Sequence, residues 1–158
     1  MTVQLLSQQM LEALTHEANA IPRLRKNLNF HESDESVCHR LLNAIEPNSY
    51  VIPHRHLEAS KAETMIVVKG ALGILIFDDA GTVVEQHRLA PGGDIFGIDL
   101  PPGTWHSVVS LQVGTVFFEA KAGPYTAPTA AERASWAPME GDEAADAYLK
   151  WMRAHFHV

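Results

Sequence analysis

The sequence predicts a mainly β protein, built as a closed barrel or as two packed sheets, with a helix near each end of the chain. Three observations carry this. Short apolar or alternating segments recur from Val37 onward, at 37–46, 50–56, 63–69, 71–78, 82–89, 94–98, 104–112 and 114–121. Turn-forming clusters separate them, among them Asp79-Ala80-Gly81, Pro91-Gly92-Gly93 and Gln112-Val113-Gly114. Outside that region the apolar period lengthens from two residues to that of a helix.

The first helix is capped by Ser7, carries Leu11, Leu14 and Ala18 at helical spacing, and is closed by Pro22. It is expected to pack on the exterior of the β-structure. Gly123-Pro124 ends the strand region, Thr129 and Glu132 form a capping box, and a last helix is expected over 143–155. Its apolar face reads as Ala144, Tyr148, Trp151 and Met152. No internal repeat or low-complexity tract appears, and the nearest thing to a linker is Pro124 to Pro128. The expected organisation is one domain over 1–158, with helical appendages at 1–22 and 129–158 around a β-region at 37–122.

The 158 residues, 46% hydrophobic and 20% charged, have an ordinary globular balance. A net charge of -7, with 12 Lys and Arg spread along the chain, argues against a nucleic-acid partner, which needs a concentrated basic surface. Cys38 is the lone cysteine, so no internal disulfide forms. No basic leader with an apolar run opens the sequence, and no stretch is long enough to span a bilayer, so a cytoplasmic protein without membrane contact is expected.

The chemistry is concentrated in His54, His56, Glu63 and His106. In Pro53-His54-Arg55-His56 the two histidines share one face of an expected strand, their Cα atoms roughly 6.6 Å apart. Pro101-Pro102-Gly103-Thr104-Trp105-His106 is a tight turn that launches a strand with a third imidazole. Between them, Glu63 opens the apolar segment Glu63 to Gly70 and offers a carboxylate. Nine histidines in 158 residues give about half a His-x-His pair by chance, and His155 and His157 form a second one. The lead-in of Tyr50, Val51 and Ile52 favours the first pair over the terminal one. Three neutral imidazoles and a carboxylate suit one divalent ion, Fe, Mn, Ni, Co or Zn, at roughly 2.0 to 2.2 Å. A six-coordinate ion leaves about two positions for water, oxygen or substrate, whereas a closed four-coordinate zinc leaves none. Histidines satisfied without metal are the third reading.

These stretches resemble the cupin superfamily, whose first motif runs Gly, five residues, His-x-His, three or four residues, Glu, six residues, Gly, and whose second ends in Pro-x-Gly-x-x-His. Glu63 and Gly70 stand six residues apart as in the first motif, and Pro101, Gly103 and His106 match the second. Ser49 stands near the opening where the family has glycine, and Leu57 to Ala62 put six residues between His56 and Glu63, two more than usual. Glu58 is the rival carboxylate, and the spacing to Gly70 favours Glu63. Ile21 to Arg25, Pro53 to His56, Phe77 to Asp79, Pro101 to His106, Phe117 to Glu119 and Gly123 to Tyr125 look like the WbuC-type cupin fold metalloproteins. The resemblance implies a cupin-type (jelly-roll) β-barrel in one domain, a homodimer joined through sheet edges, and an association with O-antigen gene clusters. It implies no settled reaction.

Further residues are candidates for a ligand pocket. Arg25 and His31, with Arg23 and Asn29, precede the expected β-region and Arg40 lies in its first segment; they suit a carboxylate or phosphate on a small-molecule ligand, or else are solvated or pair with Asp34 and Glu35. Glu119 and Lys121 share the Phe117 face of the last strand, so Glu119 is a candidate general acid or base, or one half of a rim salt bridge. Met65, Val67, Val108 and Ser110 are expected to line the pocket, Trp105 to pack away from it, and Tyr125 to fold across an opening. The leading functional expectation is a metal-dependent isomerase or epimerase acting on a sugar or sugar-nucleotide derivative in surface-polysaccharide synthesis. An Fe(II) dioxygenase and a non-catalytic small-ligand-binding cupin are the alternatives.

Overall fold

A computed structural model describes residues 3–157. Ser7 accepts a hydrogen bond from the Met10 amide at 3.2 Å, which satisfies one of the free donors at the start of α1 (Gln8–Asn19). Eight strands follow: β1 (Arg25–Asn29), β2 (Cys38–Ile45), β3 (Glu63–Lys69), β4 (Leu72–Phe77), β5 (Val83–Leu89), β6 (Gly97–Leu100), β7 (Trp105–Ser110) and β8 (Thr115–Ala122). A last helix, α2, spans Ala145–Ala154. The strands form two antiparallel sheets, one ordered β1-β2-β8-β3-β6 and the other β5-β4-β7. No helix among the described residues is long and apolar enough to cross a membrane.

Strand alternation sorts the apolar side chains into three clusters. Ile45, Met65, Val67, Leu72, Ile74, Val108 and Phe117 meet between the sheets. On the outer face of the three-stranded sheet, Leu75, Phe77, Trp105 and Val109 pack against Leu149 and Met152 of α2. On the outer face of the five-stranded sheet, Leu42, Ala44 and Val116 are covered by Leu11, Leu14 and Ala18 of α1, as their spacing predicts. The same alternation that points Val67 inward leaves Ile66 and Val68 exposed on that outer face.

Four elements differ from the sequence expectation, each for a physical reason. The β-region starts at Arg25 rather than 37, because β1 is a polar edge strand held by its ladder to β2 and gives no apolar signal. Residues 50–56 are not a strand; only His54 makes bridges, to His106 and Arg133. Pro53 has no amide to donate, and other groups claim the local carbonyls, with Arg25 bonding to Tyr50 O, Ser107 to Val51 O and Ala134 to Pro53 O. The strand expected at 94–98 runs from Gly97 to Leu100, since its register against β3 pairs Ile66 with Gly97 and Glu63 with Leu100. The buried face of α2 is Ala145, Leu149 and Met152, with Tyr148 half-buried and Ala144 and Trp151 turned outward. That face is displaced by about one residue, roughly 100° of helix rotation, because the helix docks through its smaller side chains. The two faces separate by mutation: Met152→Ala is expected to cost about 2–5 kcal/mol and Trp151→Ala no more than about 1 kcal/mol, measured by urea unfolding.

Candidate metal centre

His54 and His106 face each other across an antiparallel bridge, exchanging both backbone hydrogen bonds at 2.9 Å. This sets their imidazoles side by side, with ring centroids 4.5 Å apart. His56 follows two residues after His54 on the same side, its ring centroid 5.3 Å from that of His54. Glu63 opens β3 between β6 and β8 and is buried with His106, each no more than 3% exposed. One ligand atom from each of the four lies within 4.8 Å of the other three. That span is slightly more than two metal–ligand bonds of roughly 2.0–2.2 Å laid end to end, so a small turn of the rings closes the set around an ion.

The hydrogen bonds around the site leave the right atoms free. His54 Nδ1 lies 3.0 Å from Ile52 O and His106 Nδ1 lies 2.9 Å from Thr104 O. A carbonyl can only accept, so each ring carries a proton on Nδ1 and leaves Nε2 for the cluster. Nε2 of His56 and of His106 sit 3.3 and 3.2 Å from Glu63 Oε2, yet none of these three buried atoms has a hydrogen-bond partner in the protein. Burial pushes His54 down to about 3, and the adjacent His106 adds to the effect, so the ring is neutral. Burial acts to raise Glu63, but His106, His56 and the Lys121 ammonium together hold it well below the usual carboxylate range. Three imidazole nitrogens and an ionised carboxylate, converging with no hydrogen-bond partner outside the cluster, fit a divalent cation.

A second polar layer lies beneath the carboxylate. The β3–β8 ladder pairs Glu63 with Lys121 and Met65 with Glu119, and Lys121 Nζ is 3.5 Å from Glu63 Oε1 and 2.6 Å from Glu119 Oε1. Asn43 on β2 donates to Glu119 Oε2 at 2.8 Å. Burial, and then the charge of Glu63, push Glu119 up to about 7. The two carboxylates, by contrast, raise Lys121 against the effect of its burial. Glu119 therefore faces inward, next to Glu63 and against the wall of a cavity of about 200 Å³ that also reaches His54, Glu63, His106, Met65 and Val108. A second cavity, of about 160 Å³, is lined by His54, His56 and Lys121 among others.

The remaining sequence candidates disperse. Arg25 reaches the wall of the larger cavity, but its guanidinium is committed to Tyr50 O at 2.9 Å, Ser49 Oγ at 3.2 Å and Glu140 Oε2 at 2.8 Å. His31 is buried and stacks on His39 with centroids 4.0 Å apart, and Arg40 is exposed with Nη2 on Phe30 O at 3.2 Å. Neither is part of the wall of the larger cavity. Glu58 is exposed, sits 3.8 Å from Lys61 and is not part of the four-residue cluster. Trp105 packs outward, its indole donating to Asp79 at 2.9 Å, and Tyr125 lies half-exposed at the smaller cavity. His155 caps its own helix through Trp151 O at 3.0 Å.

Several contributors escaped the sequence reading. Glu132 accepts from Leu57 N at 3.0 Å and Thr129 N at 2.9 Å, which clamps the long turn between His56 and Glu63. Those backbone amides, Thr129 first, bring Glu132 down to about 2. Its capping-box spacing was visible, but its reach to Leu57 was not. Asn43, Lys61 and Glu140 left no local signal, since each matters through a partner distant in sequence.

The architecture is a cupin fold: two antiparallel sheets flanked by helices, with a three-histidine, one-glutamate cluster that could hold a metal ion. A family model described as a domain of unknown function, DUF6016, matches residues 6–89, more than half of the chain, and the protein belongs to that family. No curated protein matches the sequence. Among solved structures, KdgF from Halomonas sp. is similar with a TM-score of 0.51 at 18% identity, covering 67% of this chain and 84% of that one. SPY1581 of Streptococcus pyogenes, a conserved protein of unknown function, gives 0.53 at 10% identity over 80% and 92% of the two chains. Oxalate decarboxylase of Bacillus subtilis, a protein with Mn(II) centres, gives 0.52 at 16% identity over 85% of this chain and 32% of that one. At these identities the likeness is one of fold.

The latch at the cavity wall is testable by pH. Hydrogen bonds from Arg23, opposed in part by burial, and then from Arg25 bring Glu140 down to about 2. A depressed carboxylate stabilises the fold above its unfolded value near 4.5 and loses that contribution as pH falls through the folded value. Glu140→Gln is therefore expected to lower the melting temperature at pH 7, with the gap to wild type closing between pH 4.5 and 2; a gap independent of pH contradicts the latch.

Proposed function

We propose that His54, His56, Glu63 and His106 bind one divalent ion, Fe, Mn, Ni, Co or Zn, and that the protein is a metal-dependent enzyme acting on a small polar metabolite. The observation that carries this is the convergence of three buried, unpartnered ligand atoms on one point, with two of the rings locked in the tautomer that presents Nε2. The bound ion would supply Lewis-acid polarisation of a substrate oxygen, or a redox centre. Glu119, inward-facing and not itself a donor to the ion, is the group placed to take or return a proton through its carboxylate oxygens. Asn43 orients that carboxylate from Oε2, and Lys121 ties it to Glu63 from Oε1. Met65, Val108 and Phe117 give the cavity apolar walls that limit water.

The reaction this layout suits best is isomerisation or epimerisation, which needs a polarised oxygen and one carboxylate to move a proton. A sugar or sugar-nucleotide derivative of surface-polysaccharide synthesis is the substrate class to test first. It is supported by the likeness to WbuC-type cupins in Pro53 to His56, Pro101 to His106 and Gly123 to Tyr125. Under the same reading the chain is one domain, works as a homodimer and resides in the cytoplasm.

Elemental analysis of protein purified without a His-tag is expected to find close to one first-row metal per chain, and His106→Ala to lose most of it; a wild-type content far below one contradicts the metal reading. With a turned-over sugar derivative in hand, Glu119→Gln is expected to lower kcat by about 10²- to 10⁴-fold with metal content unchanged and with activity retained under argon. Oxygen consumption by the Fe(II)-loaded protein would instead favour a dioxygenase, and metal-dependent binding without turnover a binding module.

A further inference from the structure

Lys61 is a buried lysine with little to hold it. Its side chain is 8% exposed, and its ammonium has one hydrogen bond, to Pro124 O at 2.5 Å, with the exposed Glu58 carboxylate 3.8 Å away. An ammonium has three donors, and lysine is seldom buried unless paired. The unspent donors lie on the wall of the smaller cavity, the one that meets His54 and His56. The other charges there are already committed: Lys121 lies between Glu63 and Glu119, and Glu132 accepts from Leu57 N, Thr129 N and Thr129 Oγ1. Lys61 is therefore the cation on this wall with N–H donors to spare, its one ionic neighbour being the exposed Glu58 carboxylate. At about 160 Å³ it is far larger than the roughly 10–15 Å³ a single water needs.

The wall opposite is built to keep this shape. The segment 123–128 passes over the cavity and is tied to the 34–37 loop, with Gly123 N donating to Val37 O at 3.0 Å and Tyr125 N to Asp34 O at 2.7 Å. A Cβ on Gly123 would lie 1.8 Å from Ser36 O, so that approach requires glycine. Lys61 holds the same segment from below through Pro124 O.

We infer that the smaller cavity receives an anionic oxygen group of the ligand, a carboxylate or a phosphate, with Lys61 as the residue that recognises it. The inference rests on reading the four donors as a metal centre, because an anion beside Lys61 would lie against the ion as well. It narrows the substrate class from a polar metabolite to a small anionic one, such as a sugar acid or a sugar phosphate.

Isothermal titration calorimetry of the metal-loaded protein with inorganic phosphate, and separately with oxalate, tests it. At least one anion is expected to bind, and Lys61→Gln, which removes the charge but keeps an amide donor for the 123–128 segment, to weaken it at least tenfold with metal content unchanged. Lys61→Arg keeps the charge and is expected to retain binding, which separates recognition from a structural role should Lys61→Gln fold poorly. Binding of phosphate alone marks a phosphorylated ligand, binding of oxalate alone a carboxylate, and either supports the inference. Equal affinity in wild type and Lys61→Gln, loss of binding in Lys61→Arg, or no binding of either anion by the wild type overturns it. If the wild type takes up no metal, the metal reading fails by itself. The same titrations on the metal-free protein then decide: Lys61-dependent binding upholds the anion site and its absence overturns it.

Discussion

A buried polar atom left without a partner costs on the order of 1–3 kcal/mol, and the interior of this protein sets three of them against one another at His56, Glu63 and His106. A neutral His106 cannot relieve this, because it already spends its one N–H on Thr104 O, and a proton on His56 Nε2 would satisfy Glu63 but leave the His106 nitrogen bare. A cation satisfies all the lone pairs at once and balances the Glu63 carboxylate. The rest of the architecture is arranged around that constraint.

Each sheet contributes part of the cage. The three-stranded sheet brings His106 on β7, the bridge to His54 carries the His54–His56 pair alongside, and the five-stranded sheet brings Glu63 on β3. Apolar clusters back both outer faces, under α1 and α2, and a third lies between the sheets alongside the polar groups. The result is a centre that two cavities reach. The larger cavity presents Glu119, Asn43 and apolar walls, while the smaller presents Lys61 beneath the 123–128 segment. Under the proposed function, that asymmetry would suit a substrate held by charge at one cavity and altered by proton movement at the other.

Much of this was legible in the sequence where a local pattern mapped onto a local structure. The apolar run from Glu63 is a strand with those bounds, the Pro-Pro-Gly turn launches β7 one residue before His106, and α1 buries the three residues its spacing selects. The choice of Glu63 over Glu58 rested on distance to Gly70, and Glu63 is the carboxylate beside the imidazoles. Illegible features depended on register or on long-range partners. A polar edge strand such as β1 has no periodicity to read. Asn43 meets Glu119 only because β2 and β8 pair Leu41 with Glu119 and Asn43 with Phe117. Arg25 looked free in sequence because Glu140 lies 115 residues away. His54 looked like a strand residue because Tyr50, Val51 and Ile52 lead into it, but in the structure only its isolated bridges to His106 and Arg133 are strand-like.

X-ray absorption spectroscopy of the metal-loaded protein tests the central claim most directly, because it reports the ligands of the ion itself. The expected spectrum has a first shell of nitrogen and oxygen at roughly 2.0–2.2 Å, with outer-shell scattering from three imidazoles that diminishes in His106→Ala. A sulfur scatterer at roughly 2.3 Å, which only Cys38 or a methionine could supply, or a first shell without imidazole scattering, would contradict the claim.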